Sequence, residues 1–184
     1  MRAATRGPDI RVRDAEDADM AAIAALYAHY VRTGAASFEE TPPEAAQMAS
    51  RRAEVIERGL PFVVAESDGV ILGFAYAGLF RHRSAYRFTV EDSVYVAPEA
   101  QGLGAGRRML GELVERCTRA GYRQMVAVIG DPENNASVAF HSAMGFRSVG
   151  TFHAIGFKFG RWVDTVVMQR PLGAGAGAGA LPDR

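Results

Sequence analysis

The sequence predicts a mixed α/β (α+β) sheet with helices packed on both faces. Three observations carry this. Strand-like and helix-like apolar patterns follow one another in the order β-α-α-β-β-β-α-β-α-β-β. Strands follow one another directly both mid-chain and at the C-terminal end, so the chain is not a regular βαβ repeat. A chain of 184 residues, 48% of them hydrophobic, suits a single domain with a substantial core.

Each element has a local reason. "IRVR" at Ile10–Arg13 alternates and reads as a strand, and Asp14 is placed to cap a following helix. Met20, Ile23, Tyr27 and Tyr30 recur at helical spacing, which predicts an amphipathic helix to about Val31. "TPPE" at Thr41–Glu44 reads as a capping box with proline in the first turn, opening a second helix that Gly59 closes. "FVVAESDGVILGFAYAGL" gives two strands around a Ser67-Asp68-Gly69 turn. "FTVEDSVYV" is a further strand. A helix over Arg107–Ala120 places Leu110, Leu113, Val114 and Cys117 on one face. "QMVAVIG" is a continuous apolar run, expected at the centre of the sheet. A short helix over Asn134–Met144 ends at Gly145, and two strands around a glycine-rich bend finish the fold. Residues 1–171 form the predicted domain, and 172–184 a disordered Gly/Ala-rich tail.

Composition narrows the function classes. The formal net charge is zero, which argues against a general nucleic-acid or membrane-surface binder. The one cysteine, Cys117, excludes a disulfide framework, and the four histidines form no close ligand pair, so no metal is expected. No run reaches the roughly 18 apolar residues of a membrane span, and the N-terminus carries no apolar signal region. The expected location is the cytoplasm.

The stretch "VYVAPEAQGLGAGRRML" is a strand end, a loop of alternating glycines and a helix start. Glycines there let successive N–H groups converge at a helix N-terminus, which favours an anion, and Arg107 and Arg108 add to that field. The spacing fits neither G-x-x-x-x-G-K-S/T nor G-x-G-x-x-G. On the loop alone, an anion cradle and an ordinary glycine-rich connection both remain open.

Gln101-x-x-Gly104-x-Gly106 resembles the Q/R-x-x-G-x-G/A pattern of the GCN5-related N-acetyltransferases (GNAT). Three further segments, "FTVEDSVYV", "VAVIGDPENNASVAFHSAMGF" and "GFKFGRWVD", are similar to the phosphinothricin and methionine sulfoximine acetyltransferase branch. The resemblance spans roughly Ile10 to Pro171. It implies the GNAT fold: a mostly antiparallel twisted sheet with a splayed parallel strand pair that binds the cofactor, acetyl-CoA. It also implies that Gln101, Gly102, Leu103, Gly104, Ala105, Gly106 and Arg107 bind the pyrophosphate. Val94, Tyr95 and Val96 would lie along the pantetheine arm, and Asn134 and Ser137 would contact it. Asn134 could equally be a plain helix N-cap, and both roles are compatible.

The resemblance places a general base on Glu91. Strand alternation puts Glu91 with Ser93 and Tyr95 on one face, opposite Asp92, which reads as structural. A carboxylate in so apolar a strand needs a task or a partner. His141 matches a position that serves the leaving thiolate or contacts substrate, although a lone histidine is more often structural. Phe38, Arg81, Arg83 and Tyr86 match substrate-pocket positions, and guanidinium groups suit carboxylate and phosphinate oxygens. "RHRSAYR" also reads as a solvated basic loop. Lys158 and Trp162 belong to the last motif, with Trp162 expected in packing or a dimer contact.

The implied function is direct acetyl transfer from acetyl-CoA to the α-amine of a small amino-acid analogue, in a homodimer that uses neither metal nor nucleic acid. Alternatives are another amine acceptor, such as a peptide N-terminus or a polyamine, or a non-catalytic acyl-CoA-binding module.

Overall fold

A computed structural model describes residues 8–131 and 134–177. In chain order its elements are β1 (Arg11–Asp14), α1 (Met20–Thr33), α2 (Ala45–Glu57), β2 (Phe62–Ser67), β3 (Val70–Leu79), β4 (Thr89–Val96), α3 (Ala105–Arg119), β5 (Gln124–Gly130), α4 (Asn135–Ala143), β6 (Arg147–Lys158) and β7 (Arg161–Pro171). This is the predicted order. The strands form one seven-stranded sheet in the order β1-β2-β3-β4-β5-β7-β6. Every pairing is antiparallel except β4 with β5.

That one parallel pairing is short. β4 and β5 are in register only from Thr89↔Gln124 to Glu91↔Val126, and then diverge. β3 stays paired to β4 up to Gly73↔Val96, and β7 to β5 up to Gly130↔Thr165. The sheet is therefore split between two otherwise well-held strands.

Side chains on β4 sort the helices into layers. The ring of Tyr95 meets Tyr27 and Tyr30 of α1 at 4.9 and 5.3 Å. Val96, the next residue, faces the other way, where a Cβ on Gly106 of α3 would lie 3.3 Å from its Cγ2. Successive strand residues point to opposite faces, so α1 and α3 cover opposite sides. α2 joins α1, since Arg51 stacks on Tyr27. α4 joins α3, since His141 meets Asp92. Phe62, Phe74, Met109, Leu110, Leu113 and Met125 fill the two core layers.

Several element boundaries differ from expectation. Asp14 ends β1 and caps nothing: the cap is Glu16, before a 3-10 turn at Asp17–Asp19. The turn is fixed because Arg13 holds the Asp19 carboxylate at 2.6 and 2.9 Å. The "TPPE" box is not used. α2 begins at Ala45 with a box between Glu44 and Gln47, because residues preceding proline disfavour helical backbone. α3 begins at Ala105, before Arg107. The Asp68-Gly69 turn has φ of 50° and 77°, the pattern of a two-residue hairpin. The tail boundary also moves. Leu172 is buried in the core and its N–H donates to Arg123 O at 2.9 Å, and turns follow through residue 177. The rest of the predicted tail, 178–184, lies outside the described residues.

Among the described residues no helix is long and apolar enough to cross a membrane.

Candidate active site

A cavity of about 850 Å³ opens where β4 and β5 part. Because the sheet is split there, the cavity runs through its plane and touches both helical layers. Glu91, Asp92, Val94, Tyr95 and Val96 line it from β4, and Ala127 to Gly130 from β5.

The main chain of β4 alternates between its two neighbours. Ala97 N–H donates to Leu72 O, which fixes the odd-numbered residues as the ones bonded to β3. The backbone N–H and C=O of Val94 and Val96 therefore face the gap. Those of Tyr95 do not, so Tyr95 lines the cavity by its ring alone and does not share the main-chain role predicted for all three. The Tyr30 hydroxyl donates to Val96 O.

The glycine loop closes one end. Gly102 and Gly104 have φ of 77° and 92°, a conformation that side chains rarely adopt. Gly104 is the N-cap of α3, so the N–H groups of Ala105, Gly106 and Arg107 lack helical acceptors and present partial positive charge. Gln101, Gly102, Gly104, Ala105, Gly106 and Arg107 all line the cavity. Leu103 is exposed and does not. Arg108 turns away to bond Ile10 O at 2.8 Å. Asn134 caps α4, its Oδ1 accepting from Ser137 N–H at 3.2 Å, and both residues are on the wall. The two roles weighed for Asn134 are thus spatially compatible.

Among the described residues three carboxylates reach the wall: Glu39, Glu91 and Asp92. Glu39 is ion-paired to Arg51 at 2.9 Å. Asp92 meets His141 Nε2 at 3.1 Å. Glu91 is half-buried and has no hydrogen bond among the described residues. Burial and the neighbouring Asp92 charge push it up to about 7, with Arg81 opposing. His141 is buried, which alone would lower it; the hydrogen bond and charge of Asp92 and the Ser137 carbonyl outweigh that and raise it.

The predicted substrate residues divide. Phe38 lines the cavity. It lies in the α1–α2 loop, so close to Gly130 and Gly156 that a Cβ there would stand 2.8 and 2.3 Å from its ring. Arg81, Arg83 and Tyr86 are exposed and outside the wall, on the segment between β3 and β4. Arg81 is still near enough to act on Glu91. Trp162 is 65% exposed on the β6–β7 hairpin. Cys117 is wholly buried.

Sequence reasoning missed four contributors. Tyr27 and Tyr30 read only as a helix face. Asp92 read as structural. Lys158 is 2% exposed, and its ammonium donates to Gly34 O and Ser37 O at 2.8 and 2.6 Å, holding the loop that carries Phe38. An isolated lysine in a strand gives no local signal of so distant a partner.

The acetyltransferase (GNAT) family model matches residues 23–146. The chain belongs to that family. This GNAT protein is similar to the phosphinothricin N-acetyltransferase of Alcaligenes faecalis, at 56% identity over 164 residues, covering 89% of this chain and 83% of the relative. It is 39% identical to the L-methionine sulfoximine/L-methionine sulfone acetyltransferase of Salmonella typhimurium, covering 88% and 94% of the two chains. Its structure resembles that of a GNAT superfamily phosphinothricin acetyltransferase from Sinorhizobium meliloti in complex with acetyl-CoA, with TM-score 0.87 and 50% identity, covering 91% and 90%. The protein is an acetyl-CoA-dependent N-acetyltransferase. The split sheet, with main-chain groups turned into the gap and a helix N-terminus at its end, fits an extended amide-containing arm ending in phosphates.

Proposed function

We propose that the acceptor is the α-amine of a small amino-acid analogue of the phosphinothricin or methionine sulfoximine type, and that Glu91 is the general base. The observation that carries the base is Glu91 itself, the one wall carboxylate with neither an ion pair nor a hydrogen bond among the described residues. Its value near 7 suits proton uptake at neutral pH.

Bound acetyl-CoA supplies an activated thioester. The chain supplies the rest. Glu91 takes a proton from the substrate ammonium, directly or through a water. The N–H of Val94, turned into the gap, is available to the carbonyl oxygen on which charge develops. Ala105, Gly106 and Arg107 hold the phosphates, with Gln101, Gly102 and Gly104 shaping the turn. Asn134 and Ser137 bound the arm. His141 protonates the departing sulfur.

Phe38 packs on the substrate's side chain. Arg81, with Arg83 and Tyr86 beside it on the rim, attracts the acidic end of the substrate. The relatives named for phosphinothricin and methionine sulfoximine support this acceptor class. A homodimer is part of the reading. β6 is an edge strand, and Val149, Phe152, Ile155, Phe157, Phe159 and Trp162 are all at least half exposed on its hairpin. Such a patch on a sheet edge calls for a partner.

The test is thiol release from acetyl-CoA by wild type and Glu91→Gln. The acceptors are phosphinothricin, methionine sulfoximine, methionine sulfone, spermidine and a peptide with a free N-terminus. We expect turnover confined to the first three and a loss of kcat of about 10²-fold or more in the variant. Turnover only with spermidine or the peptide overturns the acceptor. Full activity in the variant overturns the base.

A further inference from the structure

Asp92 and His141 form a buried pair with an unusual set of partners. Asp92 is 7% exposed and His141 6%. Asp92 Oδ2 lies 3.1 Å from His141 Nε2, while Oδ1 is buried with no hydrogen-bond partner among the described residues. The carboxylate is not part of a wider polar network: its hydrogen bonding serves the imidazole. On the other side of the ring, Nδ1 lies 2.8 Å from Ser137 O. A carbonyl only accepts, so Nδ1 carries a proton, and the nitrogen that gains or loses one is Nε2. Phe140 and Phe146 stand edge-on to the ring at 5.0 and 5.2 Å and limit its rotation. Both members of the pair line the cavity.

We infer that Asp92 is the positioning residue of the proton donor: it holds Nε2 of His141 against β4 and keeps a proton there, and that proton is shared between Asp92 Oδ2 and the leaving sulfur as the C–S bond breaks, so that the pair, not His141 alone, protonates the sulfur. This rests on the reading of His141 as donor given above. In the transfer the C–N bond forms and the C–S bond breaks. The ammonium gives up one proton to Glu91 and one to water, and the sulfur gains one from Nε2. Glu91 then loses its proton to water and the pair regains one from water, so one proton is released overall.

Two other charged groups reach this place. Glu91 follows Val90 on β4 and faces the opposite side, and Arg81 acts on Glu91. Removing the Asp92 charge therefore has two effects of one sign. His141 loses the partner that raises it, and Glu91 loses the like charge that raises it. Activity needs His141 protonated and Glu91 ionised, so both limbs of the pH–rate profile move to lower pH.

The experiment is an NMR titration of the His141 ring in ligand-free wild type, Asp92→Asn and Asp92→Ser, with pH–rate profiles of the same proteins, His141→Gln and the Asp92→Asn/His141→Gln double variant. The His141 midpoint is expected to fall by about one pH unit or more in both Asp92 variants. The alkaline limb of kcat should follow it, and the double variant should be no slower than His141→Gln alone. Two Asp92 variants guard against one of them misfolding. A His141 midpoint unmoved in both overturns the pairing and leaves His141 as donor intact. Unchanged turnover in His141→Gln overturns the donor reading, and the catalytic use of Asp92 with it.

Discussion

Glu91 and Asp92 are neighbours on one strand and, because strand residues alternate, they serve opposite sides of a split sheet. Placing Glu91 in this setting has a thermodynamic consequence. Its folded value of about 7 lies above the unfolded carboxylate value, so ionisation disfavours the native state. The penalty is absent well below the unfolded value and complete above about pH 7. Glu91→Gln should therefore raise stability at pH 8 by about 1–2 kcal/mol, less than the full shift because cavity water screens the charge. It should change little at pH 4. Denaturant melts at the two pH values check this. With Glu91 as the proposed base, wild-type kcat/KM should fall about tenfold per unit below pH 7, as the carboxylate takes up its proton.

The loop between α1 and α2 is where one element depends most on another. Lys158 from the end of β6 lies under it, its ammonium bonded to two loop carbonyls. Ser37 Oγ also meets the Tyr27 hydroxyl at 2.7 Å, and Tyr27 donates to Glu39 at 3.0 Å. The burial that lowers Lys158 is tolerable because the two carbonyls replace water. Lys158→Met keeps the stem and leaves those carbonyls unpaired, at a cost of about 1–3 kcal/mol each where they stay dry. The expected outcome is a lower melting temperature and a larger rise in KM for the acceptor than for acetyl-CoA. Steady-state kinetics with each substrate varied in turn measure the contrast. Element order was legible from periodicity alone, as were the Asp68-Gly69 turn and the glycine loop, because each rests on local backbone chemistry. The Lys158 clamp and the Asp92–His141 pair were not. Their partners lie 121 and 49 positions away in sequence, and only the fold brings them together. The misplaced starts of α1 and α2 have nearer causes: Arg13, six positions from Asp19, decides where the chain turns before α1, and paired prolines delay α2.

For the molecule as a whole, the apolar hairpin edge predicts association. Trp162 is the only tryptophan in the chain and is 65% exposed, so it reports on that edge directly. Sedimentation should give twice the chain mass with blue-shifted emission. Trp162→Glu should give the single-chain mass, and Phe157→Glu should do so with red-shifted emission from the retained tryptophan. A wild-type sedimentation coefficient of one chain contradicts the dimer. The parted strands carry a different consequence. The amides of Val94 and Val96 sit mid-sheet, where deuterium uptake is ordinarily slowest, yet no neighbouring strand covers them. They should exchange within the range of surface loops in the free protein and slow sharply once acetyl-CoA lies along the gap. On the proposed placement of acetyl-CoA, the enzyme borrows its missing strand from its own substrate, and each turnover must unzip that strand before the next can begin.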